Sequence, residues 1–170
     1  MKRLVLGCVV VMVLLVACTT MNEKLAMSRL YSIHTNTAND IRGAVKFDTL
    51  LLHKIVRSSD NRIFMFTRAT TDETKMYFFG VDYMGTNWLF MDTLMLRIDG
   101  QLFTLKDDSP SRETFIKGQA MVRELPKYFI DENILELLLN CSSLVIQYHQ
   151  DPITIPPEGI EALRNFILEK

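Results

Sequence analysis

Residues 75–106, KMYFFGVDYMGTNWLFMDTLMLRIDGQLFTLK, restrict what this chain can fold into more than any other stretch. They read as three β-strands joined by two short turns. Asp99-Gly100 is the stronger turn signal, because both central positions of a type I′ hairpin need positive φ. A two-residue loop sets Ile98 opposite Gln101, Leu96 opposite Phe103 and Leu94 opposite Leu105. Gly85-Thr86 suggests a second turn of the same length, which would set Tyr83 opposite Trp88, Val81 opposite Phe90 and Phe79 opposite Asp92. Side chains alternate across a strand. One face therefore carries Tyr77, Phe79, Val81, Tyr83, Trp88, Phe90, Leu94, Leu96, Ile98, Phe103 and Leu105, and is expected to be core. A slip of one residue would turn this aromatic set outward, so the pattern fixes the register. The opposite face is mixed, with Met76, Leu89, Met91 and Met95 among Asp82, Arg97 and Thr104. Such a stripe is commonly the underside of a sheet beneath a helix or strand; methionine also suits an adaptable binding surface.

On either side of this stretch the pattern is weaker. Residues 45–57 alternate as a strand would, although Phe47, Leu50, Leu51 and Ile55 also fit a helical face; we favour the strand. Thr35 to Asp40 is polar and turn-like. Residues 62–69 read as a strand with Phe64 and Phe66 on one face and charged ends. Asp107 to Ser111 breaks the sheet, Lys117 to Leu125 reads as a further strand, and Pro126 ends it or marks an edge. Asp131 is suited to N-cap a helix over Glu132 to Asn140, with Ile134, Leu135, Leu138 and Leu139 as its buried stripe. Ser143 to His149 is a strand, Pro152 to Ile155 is extended, and Pro156-Pro157 opens a last helix with Ile160, Leu163, Phe166 and Ile167 on one face. About seven or eight short strands in mostly hairpin order, with two or three short helices, argue against a doubly wound fold. The expected class is mainly β: a single antiparallel, sandwich-like, β-rich α+β domain with a C-terminal helix.

The N-terminus carries the one specific motif. Met1-Lys2-Arg3 is positive, and Leu4 to Ala17 is an uninterrupted run without charge. The run is short for a spanning helix, which needs ~20 residues, and right for the apolar region of an export signal. It ends in Leu15-Val16-Ala17-Cys18. This resembles the lipobox of bacterial lipoproteins. The resemblance covers residues 1–18 only. It implies that Cys18 Sγ receives a diacylglyceryl group, that cleavage precedes Cys18, and that the new amine is acylated. Two or more acyl chains give a firm membrane anchor, where one gives only marginal binding. Thr19, not an acidic residue, follows Cys18, and the family then implies sorting to the outer membrane in a two-membrane bacterium. The division expected is a signal at 1–17, a lipidated N-terminus and spacer at 18–40, and one β-rich domain at 41–170. Once the signal is gone and Cys18 is lipidated, Cys141 is the one thiol left, so no internal disulfide is possible. At the end of an apolar helix it reads as a small buried hydrophobe.

Little else in the chain points to chemistry. Nineteen basic residues balance twenty acidic ones, with no basic arm, so nucleic acid is not an expected partner. No phosphate loop, nucleophile elbow, His-Glu-x-x-His or Cys-x-x-Cys occurs, and His34, His53 and His149 stand apart. No catalytic residue, metal or cofactor is expected. The anomaly is Asp92, which interrupts an apolar face and falls opposite Asp107, with Asp108 next in sequence. Facing carboxylates are unfavourable, so a buried pair would need a cation, a Lys or Arg, or a raised pKa. One reading is a ligand or cation site at Asp92, Asp107 and Asp108; the other, more common in sheets, is a bulge or splayed strand end. Three function classes follow. The foremost is a lipid-anchored, non-catalytic envelope module with a protein partner. The second is a small-ligand or lipid-binding module with a cavity lined by the aromatics of residues 75–106. The third, with least support, is an enzyme using the Asp92/Asp107 pair.

Overall fold

A computed structural model describes residues 33–40, 43–56, 60–72, 74–107, 110–148 and 151–169. The lipidation signal with Cys18, the spacer before Ile33, Asp108 and His149 lie outside the described residues. The architecture is the β-rich α+β sandwich the sequence implies. One antiparallel sheet contains β1 (Ile33–Asp40), β2 (Gly43–Val56), β3 (Asp60–Thr70), β4 (Lys75–Gly85), β7 (Ser111–Lys117), β8 (Gln119–Leu125) and β9 (Lys127–Ile130). Its order is β1-β2-β3-β4-β8-β7, and β9 pairs with the first half of β4. The second sheet has the order β11-β10-β5-β6, from β5 (Thr93–Ile98), β6 (Gln101–Lys106), β10 (Leu144–Tyr148) and β11 (Asp151–Ile155). Helices α1 (Glu132–Asn140) and α2 (Pro157–Leu168) complete the fold.

The inward faces of both sheets and both helices feed one core. Register shows how the rows meet. Leu50, Phe66, Phe79 and Tyr128 form one transverse row, and all four are buried. Phe66 packs edge-on against Phe79 at 5.0 Å and against Phe166 of α2 at 6.0 Å. From the small sheet, Leu94, Leu96, Ile98, Leu144 and Ile146 complete the core.

The Asp99-Gly100 hairpin forms in the expected register, with φ of 46° and 87°. The Asp99 carboxylate accepts from Ser142 N at 3.0 Å and Ser143 N at 2.8 Å, tying the turn to the start of β10. Asp131 caps α1 as expected, its Oδ1 accepting from Ile134 N at 2.8 Å. Neither helix has a basic residue in its last turn. Arginines from elsewhere serve those carbonyls: Arg164 donates to Leu139 O and Cys141 O, and Arg68 to Phe166 O and Glu169 O.

The structure overturns several expectations. The Gly85-Thr86 hairpin does not exist: residues 86–92 leave the large sheet and cross to the small one, so Tyr83, Val81 and Phe79 do not face Trp88, Phe90 and Asp92. Both edges of β4 are already taken, by β3 on one side and by β8 and β9 on the other. The phase also flips in the crossing. Phe90, expected in the core, is 64% exposed, and Met91, expected outside it, is fully buried. Residues 35–40 form most of β1 rather than a turn, since an exposed edge strand needs only backbone pairing. Residues 111–117 form β7, which the sequence reading missed. It turns at Gly118 into β8, the strand read as Lys117 to Leu125.

Candidate functional site

The crossing segment 86–92 connects the two sheets outside any strand, and most of its backbone groups are not served by a ladder. Side chains serve them instead. Glu124, on β8, is wholly buried and faces Tyr83 across the β4–β8 pair. Its Oε1 accepts from Leu89 N at 2.5 Å and Phe90 N at 3.1 Å, and its Oε2 from Met91 N at 3.0 Å. Three tyrosine hydroxyls take carbonyls of the same segment. Tyr83 donates to Asn87 O at 2.7 Å, Tyr148 to Leu89 O at 2.6 Å and Tyr128 to Met91 O at 2.8 Å. Burial pushes the Tyr128 and Tyr148 phenols well above their ordinary value, with Tyr148 and Asp107 adding to the effect at Tyr128 and Glu124 adding to it at Tyr148. Both hydroxyls therefore remain donors across the physiological range.

This clamp holds Phe90 in an unusual posture. Its φ is 55°, a left-handed value uncommon for an aromatic residue. The strain persists because the neighbouring groups are fixed by Glu124 and the tyrosines. The ring points into solvent, with the Arg112 guanidinium 5.4 Å from its centroid. Arg112, from β7, also donates from Nε to Glu124 Oε2 at 3.4 Å and pairs through Nη2 with Asp92. Beside the ring lies an open groove of about 480 Å³ lined by Leu89, Phe90, Asp92, Thr93, Met95 and Tyr148.

Asp92 and Asp107 do come together. The Asp107 N–H donates to Asp92 O at 2.9 Å, one step beyond the Thr93–Lys106 pair of the β5–β6 ladder. Their carboxylates are committed to different partners. Asp92 is more than half exposed and paired with Arg112, so the buried carboxylate pair that would have needed a cation does not form. Asp107 Oδ2 accepts from Lys127 N at 2.6 Å, at the junction of β8 and β9. Among the described residues no group of three His, Cys, Asp or Glu side chains is placed to hold a metal ion. Of the aromatics of residues 75–106, Tyr77, Phe79 and Tyr83 are packed into the core, and Phe90 lines the groove. The Met and Leu stripe is dispersed as well. Met76 lies on the outer face of the large sheet, Met91 is in the core, and Leu89 and Met95 line the groove.

Sequence reasoning missed Glu124, Arg112 and the tyrosine hydroxyls. A signal existed for the first. Val122 and Glu124 alternate with exposed or half-exposed neighbours, so Glu124 is a charge in the buried phase of its strand. A second buried charge of this kind is Arg68. It donates to Asp48 Oδ2 at 2.9 Å, and its guanidinium stands 5.0 Å from the Phe166 ring centroid. Burial opposes ionisation of Asp48, but donation from Arg68, Thr35 and Lys46 holds its carboxyl below the usual range. This pair fastens α2 to the large sheet.

No family model, curated protein or solved structure matches the chain.

Proposed function

We propose that the protein is an exported, lipid-anchored envelope module that engages a protein partner through the segment at 86–92, without catalysis. The anchoring part rests on the lipobox at Leu15 to Cys18. The interaction part is carried by one observation: Phe90 is 64% exposed yet held in a left-handed conformation by a buried carboxylate. A large apolar side chain that is both rigid and exposed loses little freedom on burial against a partner. Aromatic and arginine side chains are also the residues that dominate interface energetics, and Arg112 stands beside Phe90. Lipidation would keep the domain at the membrane where the partner resides.

Crosslinking and affinity capture of the lipidated protein from its own membranes tests the reading. A stoichiometric partner is expected with the native chain and lost with Phe90→Ala and with Cys18→Ala. Equal capture by Phe90→Ala would refute the role of this end. The groove of about 480 Å³ beside Phe90 supports a second reading, a small amphiphilic ligand held between Phe90, Met95 and Tyr148. Organic extraction and mass spectrometry of the purified protein would return that ligand.

A further inference from the structure

The outer face of the large sheet has its own chemistry, separate from the groove. Three adjacent transverse rows define it. The first is Phe47–Ala69–Met76, the second Thr49–Thr67–Phe78–Phe129, and the third Leu51–Met65–Gly80–Lys127. Neither helix nor the small sheet covers these rows, since both contribute to the core on the opposite face. The polar groups within and beside the rows are already satisfied. The Thr49 and Thr67 hydroxyls bond each other at 3.1 Å, and Arg123 grips Asp82 with two bonds of 2.9 and 2.7 Å. What projects is apolar: Phe129 is 55% exposed, packed edge-on to Phe78 at 5.8 Å, and Met76 is 39% exposed. Lys54 and Lys127 flank it, both exposed and without an ion pair among the described residues.

We infer that this face rests on the bilayer that holds the Cys18 acyl chains, with Phe129 and Met76 entering the headgroup boundary and Lys54 and Lys127 meeting anionic headgroups. The inference rests on the lipid-anchor reading. Three observations favour a lipid surface over a protein. Apart from the two lysine ammonium groups, the polar side chains described within the three rows are paired with one another, and a bilayer asks for no directional partner. An exposed phenyl ring flanked by lysines matches the layered polarity of an interface, where long cationic side chains reach headgroups while their stems stay apolar. The tether also enters from the right place. Ile33 pairs with Leu50, in the row next to Phe78 and Phe129. Four strand spacings of ~4.8 Å separate its edge from β9. Residues 19–32 can span up to ~50 Å when extended. The face and the acyl chains can therefore lie in the same bilayer at once.

The test uses the full lipidated chain carrying Phe129→Cys, labelled with an environment-sensitive thiol probe and reconstituted into phosphatidylethanolamine–phosphatidylglycerol vesicles. Cys18 is consumed by lipid. Cys141 is buried, and that burial pushes its thiol pKa up, so neither cysteine competes for the probe. Ile116→Cys, at the 86% exposed position on β7, is the control, and Met76→Cys serves if the first variant folds poorly. The expected result is quenching by brominated lipid at least twofold stronger at position 129 than at 116, weakened when phosphatidylglycerol is omitted. Equal quenching at both sites in protein that floats with the vesicles would overturn the inference and leave the anchor intact. Protein that takes up no acyl label would overturn the anchor reading, and the inference with it. A probe shielded in native membranes yet unquenched in vesicles would assign the face to a protein partner instead.

Discussion

Glu124→Gln isolates the clamp on the crossing segment. The glutamine keeps one carbonyl oxygen, so Leu89 N–H and Phe90 N–H retain an acceptor. Its amide nitrogen replaces Oε2 and turns a donor toward Met91 N–H and Arg112 Nε. An unpaired buried N–H costs about 1–3 kcal/mol, and bonds to a neutral rather than a charged acceptor are each weaker by up to about 1 kcal/mol. The summed loss is about 3 kcal/mol, below the 5–15 kcal/mol typical of a folded domain, so the variant is expected to fold. With a urea slope of about 2 kcal/mol/M, the midpoint falls by about 1.5 M. Urea unfolding followed by fluorescence measures this, because Trp88 is the one tryptophan and sits in the clamped segment. Glu136→Gln, on the exposed side of α1, should leave the midpoint in place. A Glu124→Gln midpoint within about 0.3 M of the native one would refute the clamp, since that shift is worth well under 1 kcal/mol.

Two further outcomes follow from the same geometry. A Cβ at Gly85 would lie 2.0 Å from the Tyr83 hydroxyl, so Gly85→Ala must expel that hydroxyl from Asn87 O; a loss of about 1–3 kcal/mol and altered Trp88 fluorescence are expected, and an unchanged spectrum would contradict the contact. The Asp48 carboxyl has a folded pKa below its unfolded value, so its contribution is present in full above about pH 4 and lost as pH falls through the folded value. Thermal unfolding from pH 6 down to 2 should show a steeper acid loss for the native chain than for Asp48→Asn, and parallel curves would refute the linkage.

The legible parts of the fold were those where a strict local pattern coincided with burial. Leu94, Leu96 and Ile98 against Phe103 and Leu105 gave one hairpin its register, because the turn and the alternation agree. Leu144, Ile146 and Tyr148, and the Ile160, Leu163, Phe166 and Ile167 stripe, were equally plain. The illegible parts depend on partners distant in sequence. Gly85-Thr86 has the chemistry of a turn, but the edge it would use on β4 belongs to β8 and β9, some forty residues later. β1 carries no apolar period, because an exposed edge strand needs none. Of the site, Asp92 and its proximity to Asp107 were visible; their commitment to Arg112 and to Lys127 N was not, since both partners lie on strands that only topology brings near. Glu124 and Arg68 went unread, although each stands in the apolar phase of its strand, Glu124 beside Val122 and Arg68 beside Phe64 and Phe66.

Those buried charges share one physical task. A backbone that leaves a ladder or a helix takes unpaired groups with it, and inside a sandwich water cannot serve them. Arg68 and Arg164 serve the last carbonyls of two helices with no basic residue in their last turns, and at the surface Asp99 serves the amides that start β10. In each case the result is closure: the groups served are internal joints of the fold. Glu124 and the three tyrosines do the same for residues 87–91, but the outcome differs, because the segment so fixed ends with an aromatic ring in solvent. If the clamp served only to close the sandwich, the chain could turn Phe90 inward and leave the exposed position to a polar side chain. Burying that ring would recover roughly 1.5–3 kcal/mol that the fold forgoes. Stability alone does not call for a rigid clamp and an exposed ring at one position, whereas the proposed docking role calls for both.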